Sequence, residues 1–294
     1  MLHRMSWSRK AFLAANYLLL GLLSALCIVP FVHILAISFS SASAATGGLV
    51  KLWPVDFTTA AYEFVLGQEE FIRAFGISVK RVLLGTAVNM ILTILVAYPL
   101  SKEVRQFRWR THYAWFFVLT MLFSGGLIPL YMTVRSLHLL DSIWALILPA
   151  AVPVYNVVLL LNFFRGLPKE LEESAKIDGA GPFRIMWKIF VPLSMPALAT
   201  LTLFCTVGHW NAWFDGLIYM NQPKNYPLQS FLQTVVIARD SSFLTDEEIA
   251  LLMLISDRTK NAAQIFVATF PILLVYPFLQ KYFIKGIVLG SVKE

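Results

Sequence analysis

The sequence predicts an all-α polytopic membrane protein with six transmembrane helices. Apolar residues make up 58% of its 294 residues and charged residues only 14%, whereas roughly a quarter of the residues in an average soluble domain are charged. Six runs contain no Asp, Glu, Lys or Arg, and each is close to or longer than the ~20 residues with which a helix crosses the hydrocarbon core. These runs are 11–50, 82–101, 111–134, 142 up to Arg165, 189–214 and 261–280.

The first run also fits a second interpretation, a cleaved signal peptide. Three basic residues precede it, and Ala42-Ser43-Ala44 is similar to a cleavage site. Its apolar core is about twice as long as the ~7–15 residues usual in a signal peptide, which favours an uncleaved first helix.

The distribution of basic residues predicts the orientation in the membrane. With six spans, the two termini and the second and fourth loops lie on one side. That side carries 15 Lys and Arg against 6 acidic residues, whereas the other side carries 9 against 11. The net charges of +9 and −2 place both termini in the cytoplasm, because cytoplasmic loops are enriched in Lys and Arg. The overall charge of +7 therefore reflects topology, and no nucleic-acid partner is needed to explain it.

The chain is predicted to form a single membrane domain, 1–294, because no linker or low-complexity segment divides it. Prolines recur within the apolar runs, and each removes a backbone donor and tends to bend its helix. Two interpretations stay open for these prolines: the ordinary shape of membrane helices, or a bundle that moves between two packings. Pro149 and Pro153 in the fourth run are the best candidates for the second interpretation.

The sequence lacks the motifs of an enzyme and of an ion-coupled carrier. It contains no phosphate loop, HExxH, CxxC or nucleophile elbow, and its five His are scattered without ligand spacing. No Asp or Glu lies inside an apolar run, although ion-coupled carriers usually need a carboxylate at membrane depth. We therefore expect a non-enzymatic conduit with no cofactor or metal of its own, driven by another protein.

The loop at about 165–192 is the most distinctive of the predicted cytoplasmic loops. Pro168 and Gly179 bound a predicted short helix, Lys169–Asp178, since proline is favoured at a helix start and glycine at a left-handed helix end. A basic loop that is simply exposed to solvent would explain the charged residues. It would not explain the small residues at 174, 175, 179, 180 and 181, which allow another protein to approach closely.

This loop resembles the EAA motif, E-A-A-x3-G-x9-I-x-L-P, of permease subunits of bacterial binding-protein-dependent ABC importers. The matching residues are Glu173-Ser174-Ala175, Gly179 and Ile189-Phe190-Val191-Pro192, with Ser174 and Val191 as departures from the consensus. The resemblance implies the type I ABC importer permease fold and a coupling helix that docks on an ATPase subunit. It indicates six ATPase-coupling residues: Glu172, Glu173, Ser174, Ala175, Asp178 and Gly179.

The same resemblance implies the partners and the location. They are a second permease subunit in a heterodimer, two ATPase subunits that bind ATP and Mg, and an extracytoplasmic solute-binding protein, all at the bacterial cytoplasmic (inner) membrane. Segments 124–129, 142–149 and 276–283 are similar to the carbohydrate branch of maltose-importer type, and within it to the smaller permease of importers for polysaccharide fragments such as alginate. The expected substrate is an oligosaccharide, with an acidic sugar as one option.

Polar and aromatic residues inside the apolar runs are the candidates for the translocation path, because sugars are bound by hydrogen bonds and aromatic faces. Each also has a structural explanation, since such residues join membrane helices or form interfacial belts. The candidates are Asn89, Tyr131, Tyr155, Asn156, Trp210 and Asn211. The long outer loop 215–260, with an acidic patch at 246–248, is expected to contact the solute-binding protein.

A stand-alone channel or an ion-coupled secondary carrier is the alternative function. The two readings differ in their partners, because only the importer subunit copurifies with an ATPase. A membrane-embedded enzyme is disfavoured, since no set of titratable residues converges in the sequence.

The predicted orientation can be tested by cysteine labelling of intact cells. We expect a membrane-impermeant maleimide to label Ser241→Cys and to leave Ser174→Cys unlabelled, because the charge asymmetry places residue 174 in the cytoplasm. Permeabilised cells, in which both positions react, are the control. The reverse pattern in intact cells would show that the orientation is inverted.

Overall fold

The structure, a computed structural model, describes residues 7–237 and 255–291. All regular secondary structure in these ranges is helical, which confirms the predicted all-α class. The α-helices are α1 (Trp7–Ser38), α2 (Ala42–Thr46), α3 (Ala60–Gly67), α4 (Glu69–Ser101), α5 (Arg110–Leu122), α6 (Leu127–Ser136), α7 (Val154–Arg165), α8 (Lys169–Ile177), α9 (Pro182–Ile185), α10 (Val191–Leu193), α11 (Met195–Asn211), α12 (Phe214–Tyr219), α13 (Leu228–Leu232) and α14 (Asp257–Ser291). Short 3-10 helices occupy Ile143–Leu146, Leu148–Ala150 and Pro223–Asn225, and π-helical turns occupy Met186–Phe190 and Gln233–Ile237.

Helices of transmembrane length are present, as the apolar runs predict. Within the described residues, α1 and α4 are each long and apolar enough to cross a membrane, and three bent helix pairs raise the possible number to five. The sixth predicted span, 261–280, falls in α14, whose side chains from residue 278 onward lie outside the described part of the chain. The acidic patch at 246–248 also lies outside the described residues.

Three of the predicted spans are bent pairs rather than single helices. α5 and α6 meet at 112°, the segment Ile143–Ala150 meets α7 at 50°, and the segment Pro182–Leu193 meets α11 at 84°. Pro149 and Pro153 lie at the second break, and nothing in a single conformation tests whether the bundle moves there. The runs 111–134 and 189–214 read as continuous in the sequence because composition does not record where a helix changes direction.

A proline by itself does not interrupt these helices. Pro30 and Pro99 lie inside the continuous helices α1 and α4. At the break before α7, by contrast, the side-chain amide of Asn89 donates to the carbonyls of Ala150 and Ala151 at 2.7 and 2.9 Å. Membrane helices tolerate a break when a neighbour satisfies the freed backbone groups, and Asn89 of α4 is that neighbour here.

The chain divides into two compact units, residues 1–71 with 239–270 and residues 72–238 with 271–294. In the first unit, small apolar residues at the end of α1, in α2 and near the start of α14 pack together, and Arg258 donates to the carbonyl of Ala45 at 3.0 Å. In the second unit, the main core joins α4, α7, α11 and the segment 185–190. The predicted coupling loop and all six path candidates belong to the second unit.

Candidate functional site

Helix α8 is the short helix predicted in the coupling loop, and it ends in a Schellman motif. Gly179 has a φ of +77°, its N–H donates to the carbonyl of Lys176 at 3.0 Å, and the N–H of Ala180 donates to the carbonyl of Ala175 at 2.9 Å. The left-handed backbone expected at Gly179 is therefore confirmed. Among the residues that the structure describes, no atom beyond the two adjacent residues lies within 4 Å of a Cβ added at Gly179, so a side chain there would cost about 1 kcal/mol through backbone strain alone.

The six predicted coupling residues divide between two faces of this loop. Ala175 packs against the core of the second unit, and Glu172 is turned toward α4. The apolar side chains of Ile177 and Phe183 are 87% and 71% exposed, so the outward face combines carboxylates with apolar groups. The other four coupling residues are exposed on that face: Glu173, Ser174, Asp178 and Gly179.

A largely buried ion pair joins α8 to the end of α4. Lys102 Nζ lies 2.7 Å from Glu172 Oε2, and Lys176 Nζ lies 2.8 Å from Glu172 Oε1. The Lys102 and Glu172 side chains are only 11% and 14% exposed. The Lys102 ammonium also lies 3.9 Å from the ring centroid of Tyr98 and 4.1 Å from that of Phe190, a cation–π arrangement. One ammonium thus contacts α4, α8 and the segment that follows α8.

These contacts keep Glu172 ionised. Burial raises the pKa of Glu172, but the hydrogen bonds from Lys102 and Lys176 outweigh burial and hold that pKa below its ordinary value. Burial lowers the pKa of Lys102, and the hydrogen bond with Glu172 offsets this only in part. Since an unpaired buried ion costs on the order of several kcal/mol, Lys102 depends on its carboxylate partner for its position.

Further polar contacts tie the end of α4 to its neighbours. Lys169 at the start of α8 pairs with Glu103, and both side chains are well exposed. Arg165 and Arg110 donate to the carbonyls of residues 100 and 102 at 3.2 and 2.9 Å. The last carbonyls of a helix lack partners within the helix, so these bonds fasten the end of α4 to the end of α7 and the start of α5.

A cavity of about 490 Å³ lies among α4, the broken fourth span, α11 and α12, and two path candidates, Asn89 and Asn156, line it. The Asn89 side chain accepts a hydrogen bond from His209 Nε2 at 2.6 Å while its amide holds the carbonyls of the break. Asn156 Nδ2 donates to Cys205 Sγ at 3.2 Å. Both amides therefore hold helices together and also border an open volume.

An ion pair lies at the edge of the same cavity. Arg81, whose side chain is 3% exposed, pairs with Asp215, whose side chain is 29% exposed, and its Nη1 lies 3.1 Å from Asp215 Oδ1. The same nitrogen donates to the carbonyl of Ala212 at 3.3 Å. The ion pair connects α4 to the first turn of α12, and the bond to Ala212 connects α4 to the turn between α11 and α12.

The other four path candidates lie outside this cavity's lining. Trp210 packs edge-on against Phe75, with centroids 5.7 Å apart, and borders a second, apolar cavity. Tyr131 stacks on Tyr219, with centroids 6.4 Å apart. The remaining two candidates, Tyr155 and Asn211, are exposed on the described part of the chain.

Sequence analysis did not identify Lys102, Arg81 or His209. A signal was nevertheless present in α4, where Arg81, Gly85 and Asn89 recur every four residues and so share one helix face. A Cβ at Gly85 would overlap the His209 ring, so the glycine lets α11 approach this face. Lys102 directly follows an apolar run, and nothing in its own spacing indicated its partner 70 residues away.

The chain is similar to known components of membrane transport systems. Residues 106–288 match the family model described as binding-protein-dependent transport system inner membrane component. The chain is 42% identical to the protein LplC of Bacillus subtilis over 97% of this chain and 95% of that protein. It is also 42% identical to the polygalacturonan/rhamnogalacturonan transport system permease protein YtcP of Bacillus subtilis, over 91% and 93% of the two chains.

A solved structure has the same fold over nearly all of the chain. It is the crystal structure of a bacterial ABC transporter involved in the import of the acidic polysaccharide alginate, and one of its chains is 32% identical with a TM-score of 0.88. The match covers 95% of this chain and 99% of that chain.

The ion pair beside α8 can be tested with a double-mutant cycle. We expect Lys102→Met and Glu172→Gln each to lower the stability of the purified protein by about 2–4 kcal/mol, because each leaves a poorly exposed charge with fewer partners. The double variant should cost less than the sum of the two, by about 1–3 kcal/mol. Thermal unfolding in detergent measures the four stabilities.

The matched control is the exposed pair Lys169 and Glu103, which joins the same two segments. Its cycle with Lys169→Met and Glu103→Gln should give a much smaller interaction energy than the buried pair does, because solvent screens exposed charges. Additive effects of Lys102→Met and Glu172→Gln would show that the buried pair does not hold α8.

Proposed function

The chain belongs to the family of binding-protein-dependent transport system inner membrane components and is a non-catalytic permease subunit of an ABC importer, and on this premise we propose that it forms half of the translocation path for an acidic oligosaccharide. In this proposal α8 couples the path to ATP hydrolysis on a partner. The coupling role rests on one observation: the two faces of α8 have different environments. The outward face is exposed, and the inward face is held by the Lys102–Glu172 pair.

Two features of α8 support docking on an ATPase subunit. Its outward face and C-terminal end combine the carboxylates of Glu173 and Asp178 with the exposed Ile177, and Phe183 of α9 is exposed close by in the sequence; interfaces commonly pair an apolar centre with a polar rim. Its inward face is fixed to α4 by a buried ion pair. A push on a helix held in this way moves α4 rather than only the loop.

The proposed assembly contains a second permease subunit, two ATPase subunits and an extracytoplasmic solute-binding protein. ATP and Mg bind to the ATPase subunits in this proposal, because the chain itself has no phosphate loop. The charge asymmetry supports placing both termini and the coupling loop on the cytoplasmic side of the bacterial inner membrane. The ATPase subunits would then meet α8 directly.

The substrate class rests on relatives and on the cavity. YtcP is named for polygalacturonan/rhamnogalacturonan transport, and the similar solved transporter imports alginate; polygalacturonan and alginate both carry carboxylates on their sugar rings. The cavity beside α4 is lined by Asn156, whose amide oxygen can accept a hydrogen bond from a sugar hydroxyl group, whereas Asn89 and His209 are hydrogen-bonded to each other. We therefore propose a carboxylated oligosaccharide as the transported molecule.

The coupling role predicts a specific defect for changes on the outward face of α8. We expect Gly179→Asp and Gly179→Leu to leave the subunit in the membrane but to weaken ATPase attachment or uncouple hydrolysis from transport, because the left-handed cap that shapes the loop is lost. Glu173→Lys should act similarly by reversing a charge at the proposed contact. Copurification of the ATPase and substrate-stimulated hydrolysis measure both effects.

Arg105→Glu is the control, because Arg105 is exposed on the neighbouring loop and lies outside α8. It should change attachment much less than Glu173→Lys does. If both Gly179 variants hold the ATPase and transport normally, α8 is not the docking element.

The proposed substrate class can be tested with the reconstituted importer and its solute-binding protein. We expect oligogalacturonates or alginate oligosaccharides to stimulate ATP hydrolysis several-fold more than neutral maltooligosaccharides of equal length, because only the acidic sugars present carboxylates to the path. Methyl-esterified oligogalacturonates keep the sugar ring and remove the charge, so they provide the matched control. Equal stimulation by the neutral and acidic sugars would contradict the acidic class while leaving the coupling role of α8 in place.

A further inference from the structure

A groove of about 360 Å³ lies between α5 and α7, bordered by the end of α4. Arg110, the first residue of α5, and Arg165, the last residue of α7, form its polar end. Its walls come from the third and fourth apolar runs, which the sequence assigns to the membrane. The wall residues are mainly apolar and include Ala114, Trp115, Val118, Val157, Val158 and Leu161.

The two arginines at this groove lack acidic partners within the described residues. Each guanidinium makes one hydrogen bond, Arg110 to the carbonyl of Lys102 and Arg165 to the carbonyl of Leu100. Neither forms an ion pair in the described ranges, and Arg110 Nε is buried without a hydrogen-bond partner. The nearby carboxylate of Glu103 is paired with Lys169.

Two under-neutralised guanidinium groups at the end of an apolar groove match the chemistry of an anionic phospholipid. Arginine presents several donors in a planar fork that suits phosphate oxygens, and basic pockets between membrane helices bind anionic head groups. The apolar walls extend from the arginines along the third and fourth apolar runs, which are assigned to the membrane. The acyl chains of membrane lipids lie at that depth. A free phosphate ion could bind the two arginines, but it has no apolar part to pack against those walls.

We propose that this groove binds one anionic phospholipid, with its phosphate on Arg110 and Arg165 and an acyl chain along the apolar walls between α5 and α7. Both arginines also border the space beside α8, and both bind carbonyls at the end of α4. The lipid phosphate therefore neutralises charge at the point where α4, α5, α7 and α8 meet. Its binding does not depend on which sugar the importer carries or on what docks on α8.

The test uses the intact purified importer and native mass spectrometry. With phosphatidylglycerol and phosphatidylcholine of identical chains, we expect selective retention of phosphatidylglycerol. Arg110→Gln and Arg165→Gln should each weaken that retention about fivefold, in keeping with the contribution of one basic residue near an anionic membrane surface. Arg110→Lys and Arg165→Lys, which keep the charge, should retain most of the affinity.

Arg108→Gln is the matched control, because Arg108 is exposed two residues from Arg110 and does not line the groove; it should retain the lipid normally. Ala114→Phe fills the groove from α5 with both arginines intact, and it should also release the lipid. Excess inorganic phosphate should not displace the lipid, since it lacks an acyl chain; displacement would indicate a small-anion site and overturn the proposal.

Two further results would overturn it. One is equal retention of the two lipids, or normal retention of phosphatidylglycerol by Arg110→Gln and Arg165→Gln. The other comes from a photo-crosslinker attached at Ala114→Cys: crosslinking to the second permease instead of to lipid would show that a partner helix fills the groove.

Discussion

The central constraint in this structure is that a broken membrane helix needs a neighbour to satisfy its freed backbone groups. The amide of Asn89 meets that requirement for the break before α7, where it donates to two carbonyls. Its own oxygen is held by His209 of α11. One residue of the continuous helix α4 therefore links the break in the fourth span to α11, at the border of the cavity beside α4.

Helix α4 has the same organising role at three levels along its length. Arg81 pairs with Asp215 near the turn between α11 and α12, Asn89 holds the break, and Lys102 just beyond the helix end holds α8. Each contact uses a polar side chain in surroundings where an unpaired polar group would be costly.

In the loop 165–192, local interactions determine where α8 ends, whereas tertiary contacts determine how α8 is oriented. The Schellman cap at Gly179 is a local feature, since its hydrogen bonds run within six consecutive residues. The orientation of α8 is a tertiary feature, because Lys102 and the core under Ala175 select which face turns inward. As a result Glu172 and Glu173, neighbours with the same side chain, have different environments: one is a buried partner of two lysines and the other is exposed.

The sequence by itself determined the all-helical membrane class, the presence of the short helix α8 and the left-handed backbone at Gly179. These features depend on composition, run length and short-range spacing, which a single chain records directly. The family resemblance rested on residues 173–192 for the same reason, because the motif is contiguous. The sequence marked every proline in the apolar runs as a possible bend, but it could not distinguish Pro149 and Pro153, which lie at a break, from Pro30 and Pro99, which lie in continuous helices.

Only the tertiary structure decided which prolines mark breaks, which carboxylate of the coupling loop is buried, and where Arg81, Lys102 and His209 find their partners. The partners of these three residues are 134, 70 and 120 positions away in the sequence. Sequence spacing identifies neighbours on one helix, whereas the pairing of buried polar groups is set by which helices pack together. The physical reason is that an unpaired polar group is unfavourable when it is buried. Each of these groups therefore forms a hydrogen bond or ion pair with a group that helix packing places nearby.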